Sequence, residues 1–545
     1  MRFDDQTVLV TGASGSIGKA IATAFAQSGA RVDSIRQQNP LGRVAKPEEV
    51  PTRFCTLRLK RQNSSPVWLW TSMGLPTCGS LPVGRRSWLK NWRVDVFKRG
   101  VVVALAFVTG SFFGSIEPTF LEAVPIYQEI RSQVDSQYHS LFELYLSLHA
   151  NPELSYREVK TSERIGKELE SVGFQVTSNF GGYGVVGVLK NGEGPTLMIR
   201  TDLDGLPVTE ETGLDYASRV RVKDDLGKEV GVMHACGHDI HMTCFVGTAR
   251  LLCRLKNHWK GTLLMIGQPA EERGGGAQAM LSAGLYQKFP RPDYALALHD
   301  SANLEAGKIA LREGNVLAGV ESVDLTIRGM SGHGAYAYMT KDPIVLAAET
   351  IVALQTIVSR EIPAIEPAVV TVGSIHGGTK HNIIPDQIQL QLTLRYYSES
   401  VRTQLLEGVE RIAKGIAQAA GVPKELEPVM KVVNSDATPP TLNHPDLTRR
   451  VRRATSGMLG PESVVTIDPS MGGEDFSRFG RTAEKVPICI FWLGAVSSQR
   501  IQESRQPGGK PLPSLHSSLF APVPDLTIKT GVQAMTAAAL DLLQK

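Results

Sequence analysis

Three apolar runs in this chain stop abruptly on side chains that carry charge or can ligate a metal. TLMIRTDLDGLPV (196–208) runs into Asp202 and Asp204, GTLLMIGQPAEE (261–272) into Glu271 and Glu272, and LALHDS (296–301) into His299. Apolar runs of this length, without polar alternation, read as strands buried on both faces, and such strands occur in parallel sheets covered by helices. Open parallel sheets gather their functional side chains at the carboxyl ends of the strands. Two later stretches differ. ESVDLTIRGMSGHGA (321–335) and DQIQLQLTLRYYS (386–398) alternate with period two, as half-exposed strands do. PIVLAAETIVALQTIVSRE (343–361) lies between them and TQLLEGVERIAKGIAQAAG (403–421) comes after the second, both with the spacing of amphipathic helices. The pattern predicts an α/β fold of two modules: a larger parallel α/β domain in two parts, 121–315 and 426–545, interrupted by an inserted α+β domain over 316–425.

The first 120 residues do not match the rest of the chain. QTVLVTGASGSIGKAIATAFAQSGARV (6–32) reads as a strand, a glycine turn, an amphipathic helix and the start of a second strand. It resembles the nucleotide-binding start of short-chain dehydrogenases, with Thr11, Gly12 and Gly18 on the TGxxxGxG pattern and Ser16 in place of the middle glycine. The resemblance stops there. Asn39–Val50 already looks like the end of that family, and the first tyrosine, Tyr127, is followed by Arg131 where a Tyr-x-x-x-Lys pair would need lysine. Residues 1–50 are therefore expected to be a truncated fragment, and an NAD(P)-dependent oxidoreductase is the weaker rival reading.

Residues 51–95 hold four of the six tryptophans among arginines, prolines and serines. They are expected to be irregular, as a stretch never selected to fold would be. Residues 96–120 contain KRGVVVALAFVTGSFFGS (98–115), shaped like a secretory signal but placed far from the N-terminus. It is too short for a comfortable membrane span, so no stable span is expected. Export is expected only if translation starts near Val96; as written, the chain reads as cytoplasmic. Between Pro51 and Arg99 the charge surplus is +9, which leaves −5 for the rest of a chain whose net charge is +4. A mildly acidic body excludes nucleic acid as the expected partner. The six cysteines show no CxxC spacing, so a disulfide framework is not expected.

Cys236 and His238 in HACGHDIH, Glu271 and Glu272 in QPAEE, His299 and His516 in PSLHSSLF are the ligand types of zinc and related divalent ions. Cys236 and His238 cannot share a helix face, but a turn at Gly237 can aim both inward. Adjacent glutamates suit a division of labour, one binding metal and the other moving a proton.

These motifs resemble the M20 metallopeptidase family, in its amidohydrolase branch of hippurate hydrolases, N-acyl-amino-acid deacylases and auxin-conjugate hydrolases. DLDGLP, HACGHDIH, QPAEE, GHGAYAYMTKDP, GTKHNIIPD and MGGEDFS carry the resemblance, in order, across about residues 125–545. It implies a catalytic α/β domain with an inserted lid and dimerisation domain, and hence a possible homodimer. It implies two divalent metal ions (Zn, Mn, Co or Ni) held by Cys236 as bridge and by His238, Glu272, His299 and His516. Glu271 would be the general base, Asp204 the group orienting a ligand, and His333 the oxyanion stabiliser brought in by domain closure. Asn382 and Arg395 would bind the substrate's carbonyl and carboxylate. The implied activity is hydrolysis of the amide bond of N-acyl amino acids or related small amides, with an aminoacylase or carboxypeptidase acting on small peptides as the alternative. One departure stands out: Ala337-Tyr338 replaces the branch's usual Pro-His.

Overall fold

The computed structural model describes residues 119–544 and, before them, the backbone of six short strands. Those strands belong to a first unit, Met1–Ser115, and all other elements to a second, Ile116–Lys545. In the first unit Gln6–Val10 pairs in parallel with Arg31–Asp33 and antiparallel with Cys55–Arg61, which pairs onward with Val67–Thr71. The glycine turn and helix expected between the parallel strands lie outside the described residues. Cys55–Arg61 and Val67–Thr71 fall in the stretch expected to be irregular. CTLRLKR does alternate apolar and polar side chains, a period concealed by its surroundings. Trp92–Phe97 and Val101–Ala106 form a hairpin; the rest of the signal-like run lies outside the described residues.

In the second unit β1 (Val185–Asn191) precedes the three apolar runs, which become β2 (Thr196–Asp202), β3 (Gly261–Gln268) and β4 (Tyr294–Glu305). Edge to edge the eight-stranded sheet reads Val464–Thr466, Ile309–Leu311, Ile488–Val496, β4, β2, β3, β1 and Gln175–Thr177. Its centre is parallel: β2 runs beside β3 with Asp202 opposite Gln268, and beside β4 with Arg200 opposite Ala297. Three carboxyl ends thus meet at one edge, as the abrupt endings of the runs require.

Helices α1 (Thr119–Ala150), α2 (Val159–Ser171) and α3 (His238–Arg254) cover this sheet together with Pro524–Leu542. Leu144, Ile165, Ile240, Leu251, Leu263, Phe491 and Ile528 share one core with no solvent access. α3 is buried along nearly its whole length, because two glycines let a neighbour come in. A Cβ on Gly247 would stand 2.6 Å from Val532, and one on Gly531 2.4 Å from Cys244 Sγ. This central helix begins at the histidine-rich motif, so the core fixes where that motif points.

The alternating stretches become β5 (Gly319–Arg328) and β6 (Gln387–Tyr396). They lie at the centre of a four-stranded antiparallel sheet, ordered Val369–His376, β6, β5, Val429–Val432. The last strand extends this module past residue 425, because Val432 pairs with Val323. Helices α4 (Pro343–Thr356) and α5 (Glu399–Ala419) pack on one face, over Leu325, Leu390, Leu392 and Leu394. Asp342 caps α4 by accepting from the Ile344 N–H at 2.9 Å, and Ser398 caps α5 by accepting from Val401 at 3.3 Å. The opposite sheet face carries Ser322, Asp324 and Gln391, which is why these strands read as half-polar.

Candidate metal centre

Four segments converge at the carboxyl edge of the parallel sheet. Gly237 takes φ 75° immediately before α3 and turns Cys236 and His238 toward the strand ends. No other residue fits there: a Cβ at 237 would lie 2.0 Å from Asp300 Oδ2. The Glu271–Glu272 pair comes after β3 on a turn whose Ala270 is left-handed, φ 48°. His299 sits within β4, and His516 arrives on a loop, itself at φ 67°.

The donor atoms of Cys236, His238 and His299 lie within 4.8 Å of one another, and so do those of Cys236, Glu272 and His516. The sulfur of Cys236 is common to both groups. Its distance to His299 Nε2 is 3.5 Å. His238 Nε2 stands 3.7 Å from one Glu272 oxygen, and His516 Nε2 3.5 Å from the other. Glu271 joins His238 and Glu272 in a third such group.

Orientation comes from behind. Asp204 accepts the N–H groups of both Glu271 and Glu272 at 3.1 Å and the Ser155 hydroxyl at 2.6 Å, while its backbone oxygen meets His238 Nδ1 at 2.8 Å. His299 Nδ1 is held by the Asp300 carbonyl at 2.7 Å. In both histidines Nδ1 is thereby engaged and Nε2 is left facing the cluster. His516 is exposed, so it forms the open side of the cluster.

Electrostatics test whether a cation belongs here. Burial, then Glu272 and Glu271, push the Cys236 thiol well above its ordinary range. Burial also lifts Glu272 to about 7, with Asp204 and Asp202 adding to the push against the pull of His238. Glu271 is raised well above the carboxylate range by burial, Glu474 and its own neighbour Glu272. His299 is driven well below 6.5, by burial and by His241, and so stays neutral. Meanwhile His238 Nε2 and Glu272 Oε1 are buried without any hydrogen-bond partner. Buried acids beside a thiol and orphaned donor atoms are costly unless a cation compensates them. A coordinating cation would deprotonate the thiol outright and occupy the orphaned atoms. The residues fit a pair of divalent metals.

Several contributors were not singled out in the sequence. Arg200, fully buried, reaches Asp202 at 2.7 Å, Glu474 at 2.9 Å, Asp475 at 3.2 Å and the Gln268 oxygen at 2.9 Å. His241 joins Asp202 at 2.8 Å and Asp300 at 3.3 Å. The available signal was an arginine inside TLMIRTD, where a strand buried on both faces tolerates a charge only if acids meet it.

The structure places His333, Asn382 and Arg395 apart from the buried cluster, on the second module. His333 and Asn382 are both exposed, and neighbouring strands bring them together: His333 pairs with Ile383, and Gly334 N–H donates to Asn382 O at 2.9 Å. His333 Nδ1 accepts from Ala335 N–H at 3.1 Å, which leaves Nε2–H as the outward donor. Arg395 is half-buried at the junction between modules: a Cβ on Gly473, in MGGEDFS, would lie 3.5 Å from its guanidinium.

With this geometry in hand, comparison with known proteins is specific. The family model of peptidase family M20/M25/M40 matches residues 198–507. The thermostable carboxypeptidase 2 of Saccharolobus solfataricus is 33% identical over 77% of this chain and 99% of its own. The N-acetylcysteine deacetylase of Bacillus subtilis is 34% identical over 66% of this chain and 90% of its own. Among solved structures, a dinuclear metal-binding peptidase of Bacillus subtilis from the M20 family superposes with a TM-score of 0.59 at 28% identity, covering 75% of this chain and 99% of that one. By the match of the family model and of relatives along most of their length, this chain belongs to the M20/M25/M40 peptidase family.

Proposed function

We propose that the protein is a metal-dependent amidohydrolase that cleaves the amide bond of N-acyl amino acids or related small amides. One observation carries the reading: the Cys236 sulfur belongs to two ligand groups at once, with Glu271 beside them. Cys236 would bridge two divalent ions, with His238, His299, Glu272 and His516 completing their coordination. Bound there, such ions supply Lewis acidity and lower the pKa of water toward about 7. Glu271, whose carboxylate groups with His238 and Glu272, takes the proton from the attacking water and returns it to the leaving amine. Asp204 keeps the backbone of both glutamates in place. His333 donates from Nε2 to the developing oxyanion, with Asn382 alongside at the carbonyl. Arg395 receives the substrate carboxylate; among the described residues no acid pairs with it in a salt bridge.

The relative named a carboxypeptidase supports a second reading, hydrolysis of small peptides through the same residues. Metal analysis of the purified chain together with a panel of N-acyl amino acids and dipeptides separates the two. Acyl amides cleaved faster than peptides support the first reading, and the reverse order supports the second. Absence of bound metal with full turnover would overturn both. We further propose that the outer face of α4, where Val345 and Val352 are 53% and 72% exposed, is covered by a second copy of the chain. A monomer by analytical ultracentrifugation would refute that.

A further inference from the structure

The segment that joins α1 to α2 wraps the turn bearing Glu271 and Glu272 at three points. Ser155 holds Asp204, whose carboxylate accepts both glutamate N–H groups. The Tyr156 hydroxyl lies so close to Gly275 that a Cβ there would stand 2.1 Å away. Glu158 makes the third contact. It is fully buried, and one of its oxygens accepts the N–H of Ala270 at 2.7 Å and of Tyr156 at 3.0 Å. Both partners are left-handed and neither is glycine: Ala270 has φ 48° and Tyr156 φ 65°. Such backbone persists only where the surroundings over-determine it. Glu158 occupies the N-cap position of α2, yet its side chain makes no capping hydrogen bond to that helix. It reaches across instead to the residue preceding the glutamate pair.

We infer that Glu158 is a positioning residue for Glu271 and Glu272, holding the left-handed turn at Ala270 that aims both carboxylates at the metal centre. The inference rests on the proposed roles of those two glutamates. The Ala270 carbonyl accepts from the Gly275 and Gly276 N–H groups at 3.3 and 3.2 Å, so the far side of the turn is tied as well. Loss of the Glu158 contact frees the near side, and the turn relaxes toward right-handed backbone with the glutamates displaced. A displacement of about 1 Å costs on the order of 100-fold in rate.

Glu158→Ala, made in the full chain, should lower kcat about 100-fold with KM within about threefold. Amide hydrogen exchange in the metal-free protein should quicken over residues 264–280 and stay unchanged over α3. Glu158→Gln keeps an acceptor oxygen and should stay within about fivefold of the parent. Ala270→Gly is the decisive partner, because glycine adopts φ 48° without being held: it should restore about tenfold of the rate lost in Glu158→Ala. If Glu158→Ala does not accumulate folded, Glu158→Asp, which shortens the reach, is read in the same way. Unchanged exchange over 264–280, or a double variant no faster than Glu158→Ala alone, would overturn the inference. The exchange measurement needs no substrate, so a chain inactive on every amide tried defeats the proposed function while the positioning role is still decided.

Discussion

The buried cluster at the carboxyl edge of the large sheet and the exposed group on the second module are built by opposite means. Cys236, His238 and His299 are nearly inaccessible; each imidazole is held at Nδ1 by a backbone carbonyl, and the Cys236 sulfur lies 3.5 Å from His299 Nε2. His333 and Asn382 sit in solvent on short strands of two residues or beside them, held by a few backbone contacts. The first arrangement suits chemistry that must not shift, such as metal ligation and proton transfer. The second suits groups that meet the substrate only after the modules approach. Preorganisation costs stability through buried charge, and only the first site has a core deep enough to bear it.

The sharpest way to break this contrast is to remove one function from the rigid side. Glu271→Gln should lower kcat by about 1000-fold while metal content, measured by elemental analysis, is unchanged. Cys236→Ala should instead release metal, since its sulfur is common to both donor groups. Near-normal turnover in the first variant, or full metal content in the second, would mean that the buried cluster is not the reacting centre.

The exposed side should answer differently. His333→Ala should cost about 100-fold in kcat with metal content and thermal stability at parental values, because nothing in the core depends on it. A fall in melting temperature with that variant would show His333 to be structural. Arg395→Ala is expected to raise KM about tenfold for substrates with a free carboxylate and to leave their carboxamide analogues unaffected. Equal loss on both substrate types would assign Arg395 to the module junction rather than to substrate.

Much of the rigid side was legible in the sequence, because strand-end chemistry is local. An apolar run that stops on an acid states both the element and its useful end, and Gly237 announces the turn between Cys236 and His238. The bracing was less legible. Glu158 resembles any polar residue before a helix until Ala270, far along the chain, is seen at its side. Arg200 looks misplaced until Glu474 and Asp475 arrive from the other end of the fold. Such partners are set by tertiary approach, which periodicity does not encode. Val429–Val432, just beyond the expected boundary at 425, was hidden for a related reason: it is too short to declare itself and becomes a strand only by pairing with β5.

The smallest expected effect concerns pH and again separates the two regions. His149, on α1 beneath the start of α3, donates to Asp239 at 2.6 Å and meets Glu210 at 3.1 Å. Burial works to lower its pKa, but the bonds to Asp239 and Glu210 outweigh it and raise the imidazole from 6.5 to about 10. A group whose folded pKa lies above its unfolded value contributes stability that is complete below the unfolded pKa and is lost as pH rises through the folded one. The His149 contribution is therefore full below about pH 6.5 and gone above about pH 10. His149→Gln should melt about 4 °C below the parent at pH 6, with the gap narrowing steadily toward pH 10. The matching substitution His333→Gln, on the exposed side, should leave the melting curve alone at every pH. A His149→Gln gap that is constant across the range would mean that the imidazole acts there by shape and not by charge, and the buried side would then owe its rigidity to packing rather than to its ion pairs.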